Sequence, residues 1–240
     1  MTATTEATTT FTFQPFTRSC RFIWDEGDHV LIGVSPGNSY FSADRIAGLV
    51  RWASARFDRV DLVYADRHVD RMFATLGYDD EHARRRAAKE LKAVRRRIVR
   101  GVEEARRPGL PVGVHALSEF EGNPVYDLLH RRVRHFLATD REFRTGCEEM
   151  AAAFLAGKAD GAPVSQAQTA ACLDYIAAEL PFFLDTPGIL QVPSSVSSYH
   201  ALIPLTELLY AKGGGLRASR NQAYAVVRPQ QAVRPEGVAA

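Results

Sequence analysis

Two apolar, β-branched runs of strand length, HVLIGV at residues 29–34 and RVDLVYA at residues 59–65, bracket a single helix's worth of sequence. The first run is broken by Ser35, Pro36 and Gly37, and Asn38 or Ser39 is placed to cap a helix that reaches about residue 56. A strand, a helix and a strand in that order form a right-handed parallel crossover, which directs the chain to an α/β sheet covered by helices. Ligands of such sheets bind beyond the carboxyl ends of the strands, so the loop at Ser35 lies where chemistry is expected.

The rest of the chain continues the pattern. A helix is predicted over residues 79–105, a third strand over 110–117, and helices over 124–138, 140–157 and 165–180, with the last two separated by the Gly and Pro of residues 158–163. Residues 188–192 read as a short strand, 195–210 as a helix and 222–228 as a final strand. The Thr-rich residues 1–18 read as a disordered leader and 231–240 as a flexible tail, leaving one α/β domain over 19–230 with a mostly parallel sheet flanked by helices. No run of about 18 apolar residues and no secretory signal occurs, so no membrane association is expected. Three cysteines without CxxC spacing fit a reducing cytoplasm. The seven histidines show no ligand spacing, so neither a metal nor a cofactor is expected. A monomer is expected as well.

Net charge is only +2, but it is segregated. Residues 81–107 hold eleven Lys and Arg against four Glu, which makes this window +7 and the remainder −5. On the predicted helix, Ala83, Ala87, Leu91, Val94, Ile98 and Val102 recur at three-and-four spacing and form a stripe for burial against the sheet. Arg85, Lys89, Lys92, Arg96 and Arg100 fall on another sector as a ridge. Like charges so arranged repel one another unless an anion docks among them, which points to a polyphosphate partner held through its backbone.

Residues 33–37 match the G-x-S-x-G nucleophile elbow, between a strand and a helix as that motif requires. The hydrolase oxyanion hole needs an N–H on the residue after the serine, and Pro36 has none. A positioned nucleophile and a serine in a tight turn both fit this loop.

Three further segments decide what the loop belongs to. GVSPGNSYFS (33–42), LDYIAAELPFF (173–183) and VPSSVSSYH (192–200) together resemble the cyclodipeptide synthases, in the subfamily marked by Asn, Tyr and Gln or His. The resemblance spans about residues 30–229, including VYAD (63–66), the basic helix and AYAVVRP (223–229). It implies a Rossmann-like domain similar to the catalytic domains of class I tyrosyl- and tryptophanyl-tRNA synthetases, and an activity that joins two aminoacyl-tRNA partners into a diketopiperazine without ATP. The HIGH-type and KMSKS-type signatures of those synthetases are lacking.

The resemblance further implies roles for individual residues. Ser35 is implied as the acyl acceptor, Tyr175 and Glu179 as the pair that holds the substrate ammonium, and Tyr199 as a proton relay. Asn38 and His200 complete the subfamily signature, and Tyr126 matches a further site tyrosine. Arg95, Arg96, Arg97 and Arg100, with Arg85, Lys89 and Lys92, are implied as tRNA-binding. Leu31, Gly33, Val63, Leu117 and Phe182 are implied as walls of the first amino-acid pocket, with Ser197 where relatives often carry a larger aliphatic residue. The volume so gained suits an aromatic first residue, Trp being the example. Leu202 and Ile203 favour an apolar second residue such as Leu. Two rival readings remain open: a noncatalytic tRNA- or RNA-binding module, and a serine esterase with an unusual oxyanion hole.

Overall fold

The chain runs β1 (Phe11–Pro15), α1 (Arg18–Glu26), β2 (His29–Val34), α2 (Ala43–Ser54), β3 (Arg59–Tyr64), α3 (Val69–Thr75), α4 (Asp80–Ala105), β4 (Val112–Ala116), α5 (Pro124–Thr139), α6 (Arg141–Ala156), α7 (Gln166–Leu190), β5 (Ser195–Tyr199) and β6 (Gln222–Pro229). This architecture comes from a computed structural model that describes residues 10–106, 109–156 and 165–230. One six-stranded sheet has the order β1-β6-β5-β2-β3-β4. All neighbours are parallel except the antiparallel pair β1–β6. The α/β class and parallel crossover follow as expected, with His29 opposite Arg59 and Val34 opposite Tyr64.

The period of two along the central strands sorts their side chains between two cores. Val30, Ile32 and Val34 pack with Ile46, Leu49 and Val50 of α2 and Val94 and Ile98 of α4. Leu31 and Val63 face the opposite core, made with α5, α6 and α7. Each such fully buried aliphatic side chain is worth about 1.5–3 kcal/mol.

Several expectations are corrected. Residues 11–18 are not part of a disordered leader, because Phe11–Pro15 pairs with β6, Phe13 stacks on Trp24 with ring centroids 4.0 Å apart, and α1 starts at Arg18. Pro15 is tolerated because β1 lies at the sheet edge. The Ser39-capped helix instead starts at Ala43, where the Ser42 side chain accepts the Arg45 N–H. Residues 188–190 belong to α7 rather than to a strand. Pro187 leaves the Phe183 carbonyl without its helical donor, and Tyr210 Oη donates to that carbonyl at 2.7 Å. The helix bends at Asp185, whose carboxylate accepts the Gly188 N–H at 3.2 Å and so caps the last turn. Residues 195–199 form β5 where a helix was expected. That strand reads as polar because its hydroxyls are bonded internally: Ser195 to His29, Ser197 to the Phe182 carbonyl and Ser198 to the Leu31 carbonyl.

The basic helix α4 buries its stripe mainly against α2 and α3 rather than directly on the sheet. A Cβ at Gly101 would lie 2.7 Å from the Ala43 carbonyl, so glycine permits the close crossing of α4 over α2. The expected breaks at residues 158–163 and the tail at 231–240 lie outside the described residues.

Candidate active site

The order of the sheet reverses between β2 and β5, and the segments leaving their carboxyl ends open a crevice there. From β2 the chain enters a tight turn closed by the Asn38 N–H on the Ser35 carbonyl at 3.3 Å. Pro36 and Gly37 occupy the central positions, Gly37 with φ +70°, the arrangement of a type II turn. The Gly37 N–H is donated to Glu90 Oε1 of α4 at 2.9 Å. Neither central residue therefore offers a main-chain donor to an oxyanion at Ser35. From β5 the chain brings Tyr199 and His200 to the same crevice, and α7 supplies Tyr175 and Glu179 from one face.

These groups share a cavity of about 380 Å³, within the range of small-molecule sites. Ser35, Asn38, Tyr175, Glu179, Tyr199 and His200 all line it, and so do the eight residues expected to shape the pocket. Leu202 stands at its exposed rim, while Ile203 is buried. The Ser197 hydroxyl is already engaged: it donates to the Phe182 carbonyl at 3.2 Å and accepts from Gln222 Nε2 at 3.0 Å.

Glu179 is the one carboxylate of the cavity lining. Burial pushes its carboxyl up from 4.5 to about 7, against the opposing influence of the Tyr175 hydroxyl. The site thus holds a carboxyl poised to accept a cation, since an ammonium beside it would restore its charge. Burial, followed by the Glu179 charge, raises the Tyr175 phenol, whose hydroxyl sits beside Glu179 and Ser35. Burial also raises the Tyr199 phenol, and the Ser35 and Asn38 side chains act in the other direction. Both phenols are protonated at neutral pH and therefore available as donors. His200 stacks on Tyr40 at 4.3 Å, and burial and the Arg228 charge lower its pKa, which leaves the imidazole neutral.

Two assignments depart from expectation. Tyr126 is fully buried but does not line the cavity. Its hydroxyl donates to the Ala178 carbonyl at 2.9 Å and accepts from Arg67 at 3.2 Å, so it braces α7 between Tyr175 and Glu179. Arg97 is drawn out of the ridge, because it is half-buried and pairs with Glu90 at 3.3 Å. Arg85, Lys89, Lys92, Arg95, Arg96 and Arg100 are exposed along α4, with Arg85 paired to Glu81.

Sequence reading missed Met150, Ala153 and Phe154 of α6, which complete the cavity wall. Their only signal is an apolar helical spacing that reads the same in any core. It also missed a Ser-His-Asp chain at the opposite end of the sheet. His29 Nδ1 lies 2.7 Å from Ser195 Oγ, and its Nε2 lies 3.0 Å from Asp61. Burial opposes ionisation of Asp61, but hydrogen bonds from His115, His29 and Arg59 hold its carboxyl far below the usual range. Ser195, His29 and Asp61 are each at most 1% exposed, and the buried chain they form ties β2, β3 and β5 together. Among the described residues no group of His, Cys, Asp and Glu is arranged to hold a metal, and no helix is long and apolar enough to cross a membrane.

Comparison with known proteins places the chain in a family. Residues 11–229 match the family model described as cyclodipeptide synthase. The chain is 47% identical over 222 residues to a cyclo(L-tyrosyl-L-tyrosyl) synthase of Mycobacterium tuberculosis, covering 91% of this chain and 76% of that one. It is 41% identical over 212 residues to a cyclo(L-leucyl-L-phenylalanyl) synthase of Streptomyces noursei, covering 88% and 89%. A solved Mycobacterium tuberculosis structure, described as demonstrating that cyclodipeptide synthetases are related to type I tRNA synthetases, superposes with a TM-score of 0.85 at 46% identity, covering 93% of this chain and 95% of that one. A serine turn, a buried carboxyl and two phenols meet at the switch point of a sheet shared with these proteins, and the chain belongs to the cyclodipeptide synthase family.

Proposed function

We propose that the protein joins the aminoacyl groups of two aminoacyl-tRNAs into a 2,5-diketopiperazine by a ping-pong route through an ester on Ser35. The observation that carries this reading is the convergence of the Ser35 hydroxyl, the Glu179 carboxyl and the Tyr199 phenol on one cavity. The ridge on α4, whose Glu90 reaches the Ser35 turn, takes the phosphates of the tRNA. An aminoacyl-tRNA is already an activated ester, so the site has to position groups rather than spend ATP.

In the first half-reaction Ser35 Oγ bonds to the aminoacyl carbonyl carbon, the bond to the tRNA ribose oxygen breaks, and the serine proton passes to that oxygen. Glu179 and Tyr175 hold the ammonium of the bound aminoacyl group. In the second half, the amine of another aminoacyl-tRNA attacks the Ser35 ester and frees the hydroxyl. The dipeptidyl amine then attacks its own ester carbonyl, which closes the ring and releases the second tRNA. Tyr199 relays the protons that these amines lose. The first aminoacyl group is aromatic, tryptophan being the leading case, and the second is apolar, such as leucine.

Mass spectrometry of medium from cells expressing the protein and its Ser35→Ala variant tests the chemistry and identifies the amino acids. Diketopiperazines should accumulate with the wild type and disappear with the variant. Equal yields from both, or none from the wild type, would refute the proposal.

A further inference from the structure

The Ser35 turn is held from outside the cavity. Both of its N–H groups after Pro36 are committed, that of Asn38 to the Ser35 carbonyl and that of Gly37 to Glu90 Oε1. Glu90 projects from the middle of the basic helix, and the same oxygen that accepts the Gly37 N–H also meets Arg97 Nη2 at 3.3 Å. Its side chain is 29% exposed and that of Arg97 is 32% exposed. Arg97 Nε is buried without a hydrogen-bond partner.

A carboxylate in this place works against the helix's other purpose. It lies in the run of Arg and Lys between Arg84 and Arg100, where it repels any polyanion that docks on the ridge. Electrostatics alone would therefore favour a neutral residue there. The hydrogen bond to Gly37 provides the offsetting benefit, because a charged acceptor makes a stronger bond than a neutral one. That bond also fixes the main chain two residues from the Ser35 side chain.

We infer that Glu90 is a positioning residue for Ser35: it clamps the serine turn to the basic helix, and Arg97 serves as its counter-ion rather than as a phosphate contact. This inference rests on the reading of Ser35 as the acyl acceptor. The clamp connects the surface that holds the tRNA body to the turn that must meet the aminoacyl ester, so the acceptor end and the nucleophile share one rigid reference. A displacement of about 1 Å at a reacting group is enough to cost on the order of 100-fold in rate.

Glu90→Asp and Glu90→Gln separate reach from charge. Asp keeps the charge but is one methylene too short to reach Gly37, whereas Gln keeps an oxygen at the right distance without the charge. Bulk tRNA charged with mixed labelled amino acids serves as the probe. Single-turnover transfer of label to the protein is measured alongside tRNA affinity and thermal stability. Glu90→Asp should slow transfer by about 10- to 100-fold while tRNA affinity stays within about threefold. Glu90→Gln should restore most of the rate. Transfer at the wild-type rate in Glu90→Asp, or Glu90→Gln as slow as Glu90→Asp, would overturn the inference. A wild type that takes no label, or a Ser35→Ala variant that does, would instead overturn the acyl-acceptor reading on which it rests.

Discussion

Replacing Glu179 by Gln should stabilise the protein as the pH rises while abolishing its product. The folded protein keeps the Glu179 proton up to about pH 7, whereas an unfolded chain releases it near 4.5. Between these values the folded state binds more protons than the unfolded state, so stability falls with rising pH through this window. Each pH unit of difference between the two pKa values is worth about 1.4 kcal/mol. From about pH 5 to about pH 8.5 the wild type should therefore lose about 2–3 kcal/mol from this group alone, less what water in the cavity screens. Gln does not titrate and loses nothing. Urea unfolding of both proteins at the two pH values measures the change in their stability difference, which cancels every other titrating group and any fixed cost of the amide. With a slope near 3 kcal/mol per molar urea for a chain of this size, the midpoints should separate by about 1 M more at the higher pH. A stability difference that is equal at both pH values would refute the argument that the carboxyl is held against its preference for water.

Charge reversal at Arg96 and Arg100 should weaken tRNA binding and flatten its salt dependence by about one unit of log–log slope for each phosphate contact removed. Retention of both affinity and slope, measured by filter binding over a salt series, would remove α4 from the interface and favour an esterase. Ser197→Leu should narrow the first amino-acid pocket, shifting the product profile away from aromatic first residues. Because that hydroxyl links Phe182 and Gln222, the change should also cost about 1–3 kcal/mol in unfolding experiments; a product profile identical to wild type would sink the specificity argument.

The elements that chemistry depends on were legible where hydrophobic period and breakers agreed. HVLIGV and RVDLVYA announced the crossover because both faces of these strands meet a core, and the Ala83–Val102 stripe announced α4 because one face of that helix does. The pattern failed where side-chain hydroxyls replace apolar contacts. Ser195, Ser197 and Ser198 of β5 bond to His29 and to the Phe182 and Leu31 carbonyls, so a central strand carries the composition of a loop. It failed again at α7, where Pro187 signals an end although Tyr210 and Asp185 repair the main chain around it. Family resemblance pointed to residues that spacing could not, and three of them, Ser35, Glu179 and Tyr199, share one cavity. Tyr126, also pointed to by the resemblance, lies apart from that lining, with its contacts to Arg67 and Ala178. The partner of Arg97 could not be read from α4 alone, since Glu90 is recruited by a turn 53 residues earlier.

The strand order has a consequence for how the protein is made. β6 lies between β1 and β5, and β5 lies between β6 and β2, so among the described residues β1, the earliest strand, pairs only with β6, the latest. β2 likewise lacks a flank until residues 196–198 exist to pair with residues 30–32. Such long sequence separations make the sheet slow to close and reward it only once β5 and β6 are available. Tyr199 and His200 reach the Ser35 crevice in that same late step. The basic helix is therefore made before the strands that complete the Ser35 cavity, so a chain cut short of β5 and β6 would carry the ridge without that cavity.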